Sequence, residues 1–186
     1  MGVPKDQKQD GEVNMGFRVL YHLNTKNLKG VAEEARWAES MGYDGLCADE
    51  TAHDPLLPLV LAATTTSRVT LETRVAIAFP RSPMVFAYGA MDLQNFSGGR
   101  FRLGLGTQVK GHIQRRFSTE WSAPGPRIRE YVQSLHAIWD AWQTGERLAF
   151  HGDYYNFSLM TPFFSPGPSE QPRPPVFISA VNPYNC

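Results

Sequence analysis

Asp49-Glu50-Thr51-Ala52-His53-Asp54 gathers carboxylates and an imidazole into one short run directly before Pro55. A carboxylate beside an imidazole can orient the ring and stabilise its charge, so Glu50 and His53 form a candidate proton-handling pair. The same run also reads as helix capping, in which acidic side chains satisfy free backbone amides at an N-terminus. Asp54 before Pro55 has the form of such a cap. Further on, Gly104-Leu105-Gly106-Thr107 presents backbone that a cofactor could approach closely, or simply a tight turn. It lacks the full glycine-rich dinucleotide pattern running straight into a helix. Lys110, His112, Arg115 and Arg116 could receive a phosphate or carboxylate, or could be solvated surface charge. No cysteine and histidine spacing points to zinc, and no Gly-x-Ser-x-Gly elbow points to a serine hydrolase.

These residues fall at the ends of elements that the hydrophobic pattern lays out in order. Residues 17–23 are rich in aromatic and branched side chains and read as a strand. Leu28, Val31, Ala35, Ala38 and Met41 then recur at helical spacing, and Gly42 is placed to end that helix. A short strand at 45–48 precedes the polar run, and Pro55 opens an apolar helix through Leu56, Leu59, Val60 and Ala63. The stretch 69–79 reads as one strand, Ser82-Pro83 starts a helix that Gly98-Gly99 stops, and a strand from 101 ends at Gly106. Strands joined through helices must run parallel, because a hairpin cannot supply the crossover. Functional groups in such folds gather at the carboxyl ends of the strands.

The remainder adds a loop over 107–126 and a strongly amphipathic helix from Ile128 to Trp142, with Gly145 as its stop. A small hairpin follows at 148–159, outside the main sheet. Residues 161–175 hold six of the 14 prolines and read as an extended connection. Val176 to Val181 reads as a fifth buried strand. A closed eight-stranded barrel typically takes about 250 residues, so five strands imply either an open sheet or a portion of a barrel. Open edge strands recruit other chains, which makes self-association the expectation.

With 186 residues, 42% hydrophobic and 19% charged, the chain has the composition of one globular domain, 17–186, behind a polar leader at 1–16. Its formal net charge is zero, which gives no reason to expect a nucleic-acid or anionic-membrane surface. The leader lacks the apolar run of a signal peptide, and no segment has the length of a membrane span. Two cysteines, Cys47 and Cys186, do not make a disulfide framework. The expectation is a cytoplasmic protein whose partners are a small-molecule substrate and further copies of itself.

The run YDGLCADETAHDPLLPLVLAATTTSRVTLETRVAIAFPRSPMVFAYGAMDLQNFSGGRFRLGLGTQVKGHIQRRF resembles the luciferase-like family of flavin- and deazaflavin-dependent oxidoreductases, in particular its coenzyme F420-dependent branch. The likeness continues through Arg127-Ile128-Arg129-Glu130-Tyr131, His151-Gly152-Asp153-Tyr154-Tyr155 and Pro175-Val176-Phe177-Ile178, covering nearly all of 17–183. The resemblance implies an α/β fold, a TIM (β/α)8 barrel of luciferase-like type truncated to about five parallel strands with a small inserted hairpin. It implies a ring-shaped cofactor at the carboxyl ends of the strands, with coenzyme F420 first and FMN as the alternative.

Residue by residue, the family's third-strand bulge, with its non-prolyl cis peptide behind the ring, matches Arg74 and Val75, followed by Ala76 and Ile77. Small residues are common there, and Arg74 departs from them. Glu50 matches the polar position ending the second strand. Thr51 stands where sugar-phosphate dehydrogenases of this branch often have histidine, and Val109 where they have glutamate, so substrate and proton route are expected to differ from theirs. Gly106, Thr107 and His112 match positions that line the cofactor, and Ala180 and Val181 match a segment near its phosphate. The implied activity is hydride transfer between F420 and a small organic substrate, with Glu50 and His53 handling protons. An FMN-dependent monooxygenase, or a non-catalytic flavin-binding member, is the alternative.

Overall fold

The computed structural model describes residues 17–180. The leader at 1–16 and the expected cofactor contact Val181 lie outside the described residues. Five positions across one parallel sheet are filled by β1 (Leu20–His22), β2 (Gly45–Ala48), β3 (Thr70–Thr73) with β4 (Ala76–Ile77), β5 (Phe101–Gly106) and, far later in the chain, β8 (Val176–Ile178). Each pairs in parallel with its neighbour: β1 with β2, β2 with β3, β5 with both β3 and β4, and β8 with β5.

The intervening helices are α1 (Val31–Ser40), α2 (Leu56–Ala63), α3 (Pro83–Phe96), α4 (Lys110–Arg115) and α5 (Pro124–Thr144). In α1 the apolar positions Val31, Ala35 and Ala38 are fully buried, the middle of the stripe the spacing calls for, while its ends Leu28 and Met41 are exposed. Ser82 caps α3 by accepting the Met84 amide at 3.2 Å, with Pro83 at the first helical position. Gly145 ends α5 in the left-handed conformation, φ +73°. Tyr131, Leu135, Ile138, Trp139 and Trp142 of α5 are all buried, and the Trp139 indole donates to Ala87 O of α3 at 3.1 Å.

The sheet has two unlike faces. Registered neighbours in a parallel sheet point the same way, and alternate residues point to opposite sides. Leu46, Leu71 and Phe101 share one level and are completely buried under the helices, as are Leu103 and Leu105 further along β5. The other face carries His22, Cys47, Glu72 and Arg102 at one level. We call this the inner face, since in a closed barrel it would line the interior.

Four sequence expectations change. The buried strand expected from Val176 to Val181 is, among the described residues, only β8, which is not buried: Ile178 is 42% exposed. The strand over 17–23 shortens to β1, and Val19 is held instead by Asp44, whose carboxylate accepts its amide at 2.7 Å. The loop over 107–126 contains α4, whose Ile113 is fully buried. The strand over 69–79 is interrupted, for a reason that belongs to the site. The hairpin over 148–159 is present as β6 (Phe150–His151) and β7 (Asn156–Phe157), paired antiparallel.

Candidate active site

Leu71 of β3 lies opposite Phe101, whereas Ala76 of β4 lies opposite Leu105. Five steps on one strand match four on the other, so 73–75 contains one extra residue, a β-bulge. The Arg74–Val75 peptide bond within it is cis. Because the bulge removes ladder partners, side chains take their place. The Thr73 hydroxyl accepts the Gly104 amide at 2.8 Å and donates to the Gly104 carbonyl at 2.7 Å. Gly104 must lack a side chain here, since a Cβ would collide with the Thr73 carbonyl oxygen and press on the Phe177 ring.

Glu50, just past β2, completes the repair. Its Oε2 accepts the Ile77 amide at 2.8 Å, and its own amide donates to the Val75 carbonyl at 3.2 Å. The carboxylate is only 6% exposed and is met by Arg81 Nη1 at 2.8 and 2.7 Å. Arg81 also reaches Asp54 Oδ2 at 3.3 Å. Burial alone would lower the Arg81 pKa, but the Glu50 hydrogen bond and the charges of Glu50 and Asp54 outweigh it and raise it. Asp54 keeps its capping duty, its Oδ1 accepting the Leu56 amide at 2.8 Å and the Leu57 amide at 3.3 Å. Asp54 therefore caps as the sequence reads, and Glu50 lines the site as the partner of Arg81.

A cavity of about 340 Å³ opens at the carboxyl ends of these strands. Asp49, Glu50 and Thr51 form one side, Arg74, Val75 and Ile77 the next, Gly106 to Val109 a third, and Ser179 the last. The wall between bulge and β5 is closely packed. A Cβ on Gly106 would come within 2.6 Å of Val75 Cγ2, so the glycine is what lets Val75 lie against β5. Gln108 adopts φ +57°, and its side-chain oxygen accepts the Val109 amide at 2.9 Å.

Of the residues expected at the site, Glu50, Arg74, Val75, Ile77, Gly106 and Thr107 are brought together around the cavity. Ala76 is fully buried beside them in β4. Ala180 is exposed and follows Ser179. His53 sits in an exposed bend and makes no hydrogen bond with Glu50 among the described residues, so the pair is not assembled. His112 is exposed on α4, because burying Ile113 turns the preceding residue outward. Arg116 donates to the Thr51 carbonyl and lies over Phe117, which spends part of the basic stretch on structure.

Sequence reasoning overlooks the charged inner face. The Glu72 side chain has no exposure and receives Arg74 Nη2 at 3.0 Å, Arg18 Nη2 at 3.1 Å and the Thr70 hydroxyl at 3.1 Å, with Arg102 Nη1 at 3.8 Å. His22 Nε2 lies 3.0 Å from Asp49 Oδ1. The signal was present: Thr70, Glu72 and Arg74 alternate with Leu71 and Thr73, the period of a strand with one polar face.

A match to the luciferase-like monooxygenase family extends over residues 12–186, and the chain belongs to that family. An uncharacterised Mycobacterium tuberculosis protein, Rv1360, is 50% identical over 154 residues, covering 83% of this chain and 45% of the relative. Rv3520c, a candidate coenzyme F420-dependent oxidoreductase of the same organism, is 32% identical over 109 residues, 58% of this chain and 31% of its own length. An FMNH2-dependent dimethylsulfone monooxygenase of Pseudomonas putida is 30% identical over 104 residues, 53% and 26%. The chain thus spans less than half the length of these relatives. Among solved structures, the monooxygenase RslO1 of Streptomyces bottropensis superposes with a TM-score of 0.74 at 19% identity, over 89% of this chain and 54% of that one. The coenzyme F420-dependent tetrahydromethanopterin reductase of Methanopyrus kandleri gives 0.67 at 18% identity, over 89% and 51%. The fold is therefore the luciferase-like TIM-barrel type, represented here by five of its parallel strands.

Proposed function

We propose that the protein is an oxidoreductase that exchanges hydride between coenzyme F420 and a small organic substrate in the cavity between the bulge and β5. The observation that carries this reading is the close packing of Val75 against Gly106, backed by the doubly bonded Thr73 and by Glu50. A ring can lie against Val75 where Gly106 adds no side chain, with Ile77 and Thr107 lining the same cavity. When bound, the deazaflavin supplies the hydride chemistry, and the protein supplies orientation.

The chain's own residues have separable tasks in this reading. Val75 and Ile77 exclude water from one face of the ring. Glu50 is a positioning residue: it fixes the Ile77 amide and is itself fixed by Arg81. The candidate F420-dependent relative supports the choice of cofactor. A second reading, FMN with a monooxygenase activity, is supported by the dimethylsulfone monooxygenase relative.

Titrating F420 and FMN into the protein while following cofactor fluorescence tests both. Saturable binding of F420 in preference to FMN is expected, abolished in Gly106→Val, whose side chain would displace Val75. Binding of neither at high micromolar concentration overturns the oxidoreductase reading for this chain.

A further inference from the structure

The geometry points to an oxyanion site on the inner face of the sheet, at the foot of the cavity, that takes the carboxylate of a small organic acid. It rests on the proposed oxidoreductase function only in making that acid the substrate.

Three guanidiniums, from Arg18, Arg74 and Arg102, converge on the single carboxylate of Glu72. Among the described residues one negative charge faces three positive ones, an excess of two formal positive charges in the cluster. Arg102 approaches no closer than 3.8 Å, beyond hydrogen-bonding reach, and makes no other ion pair among the described residues. Glu72, with no exposure, is unavailable as anything but an anchor.

Arg74 is the arm of this cluster that enters the cavity. Its Nε and Nη2 donate to Glu72 Oε2 at 3.2 and 3.0 Å, which leaves Nη1 without a hydrogen bond among the described residues. Half of the side chain is exposed, and the guanidinium lies 5.6 Å from the Phe177 ring centroid. The fork is therefore held on one edge and offered on the other. A guanidinium oriented in this way pairs with a planar carboxylate far better than with a neutral polar group. Of the two carboxylates on the rim, Asp49 lies 3.0 Å from His22 Nε2 and Glu50 is paired with Arg81. Val75 follows Arg74 and lines the same cavity, so an acid bound there stands next to the surface proposed for the ring.

Fluorine NMR on the 186-residue protein without cofactor, using p-fluorobenzoate and its uncharged analogue p-fluorobenzamide, tests the assignment. Saturable broadening of the benzoate signal, with none for the benzamide, is expected. Arg74→Gln should weaken benzoate about tenfold or more, and Arg74→Lys, which keeps the charge and loses the fork, should weaken it by less. Glu72→Gln should tighten binding, since it releases the guanidiniums from their internal anion; a merely structural cluster gives no such gain. Should Arg74→Gln fail to fold, Arg102→Gln serves in its place and should weaken benzoate severalfold. Equal binding of the two probes, no binding of either, or benzoate binding indifferent to all these variants overturns the proposal. Adding F420 or FMN separates the sources of the anion. Competitive displacement of benzoate would assign the site to the cofactor and overturn the substrate assignment, whereas simultaneous binding supports it. If neither cofactor binds while benzoate still does, the oxyanion site stands and the oxidoreductase reading falls.

Discussion

Arg81 and Glu50 meet through 2.7 and 2.8 Å contacts with the carboxylate almost fully enclosed, so neither can be removed alone without leaving a stranded charge. Arg81→Ala is expected to destabilise the protein by about 3 kcal/mol in urea unfolding, and an unchanged midpoint would show that Glu50 finds solvent. Tyr131 donates its hydroxyl to the Arg81 carbonyl at 3.1 Å, a tie from α5 to the same residue. Cys47 behaves oppositely to a reactive thiol. It is 7% exposed, and burial pushes its pKa up to about 11. Iodoacetamide at neutral pH should leave the Cys47 peptide unmodified in native protein and modify it readily in urea, as read by peptide mapping. At this scale the sequence was legible where a residue's role is local, as for Asp54 and Ser82, whose caps need only their next neighbours. It was not legible for Arg81, Glu72 or Arg102, whose partners lie on other strands and loops. Glu50 was found for its charge, but its bonds to Ile77 and Arg81 depend on how the chain crosses back.

The elements are tied together by carboxylates that accept runs of backbone amides. Glu39 at the end of α1 takes the amides of Ser67, Arg68 and Val69 through Oε1 at 3.0, 2.7 and 3.1 Å. Burial acts to raise its pKa, but these amides and the Arg68 charge prevail, and it lies below its ordinary value of 4.5. A lowered folded pKa contributes stability that is present above pH 4.5 and lost as pH falls through the lower folded value. Glu39→Gln is expected to cost about 1 kcal/mol at neutral pH and to flatten the acid limb of a stability profile in that window. Glu130 of α5 plays the same part for the hairpin, accepting the amides of Asp153, Tyr154 and Tyr155 at 2.9, 2.7 and 2.6 Å. Glu130→Ala should speed hydrogen exchange at those three amides while leaving β2 and β5 protected; uniform loss of protection would instead mark Glu130 as part of the core. The strand over 69–79 shows the limit of pattern reading among elements. Its apolar run from Val75 is continuous, and alternation cannot reveal an inserted residue where both faces are buried. The family resemblance placed the interruption at Arg74–Val75, where it is found.

For the whole molecule, the parallel sheet followed from the spacing of strands and helices, because only crossovers long enough to hold a helix were available. What spacing could not supply was the contrast between an apolar outer face under helices and a charged inner face. β1 pairs with β2 alone and β8 with β5 alone among the described residues, so both ends of the sheet offer free backbone groups. Such edges favour pairing with another chain. Sedimentation velocity over a concentration series is expected to give a mass rising above the 20.8 kDa of one chain; a constant monomer mass would count against self-association. Among the described residues no helix is long and apolar enough to cross a membrane.

The extra residue in the bulge also works as a phase shift. Before it, even-numbered residues Thr70 and Glu72 face inward; after it, Ile77 opposite Gly106 does, and Ala76 turns to the helix side. Were 73–75 to run through in unbroken alternation at its present length, the two would exchange, driving isoleucine under the helices and alanine into the cavity. A single-residue deletion in 73–75 would instead remove the bulge and leave Ala76 opposite Leu105 and Ile77 opposite Gly106, so this wall keeps its facing when the extra residue and its bulge go together.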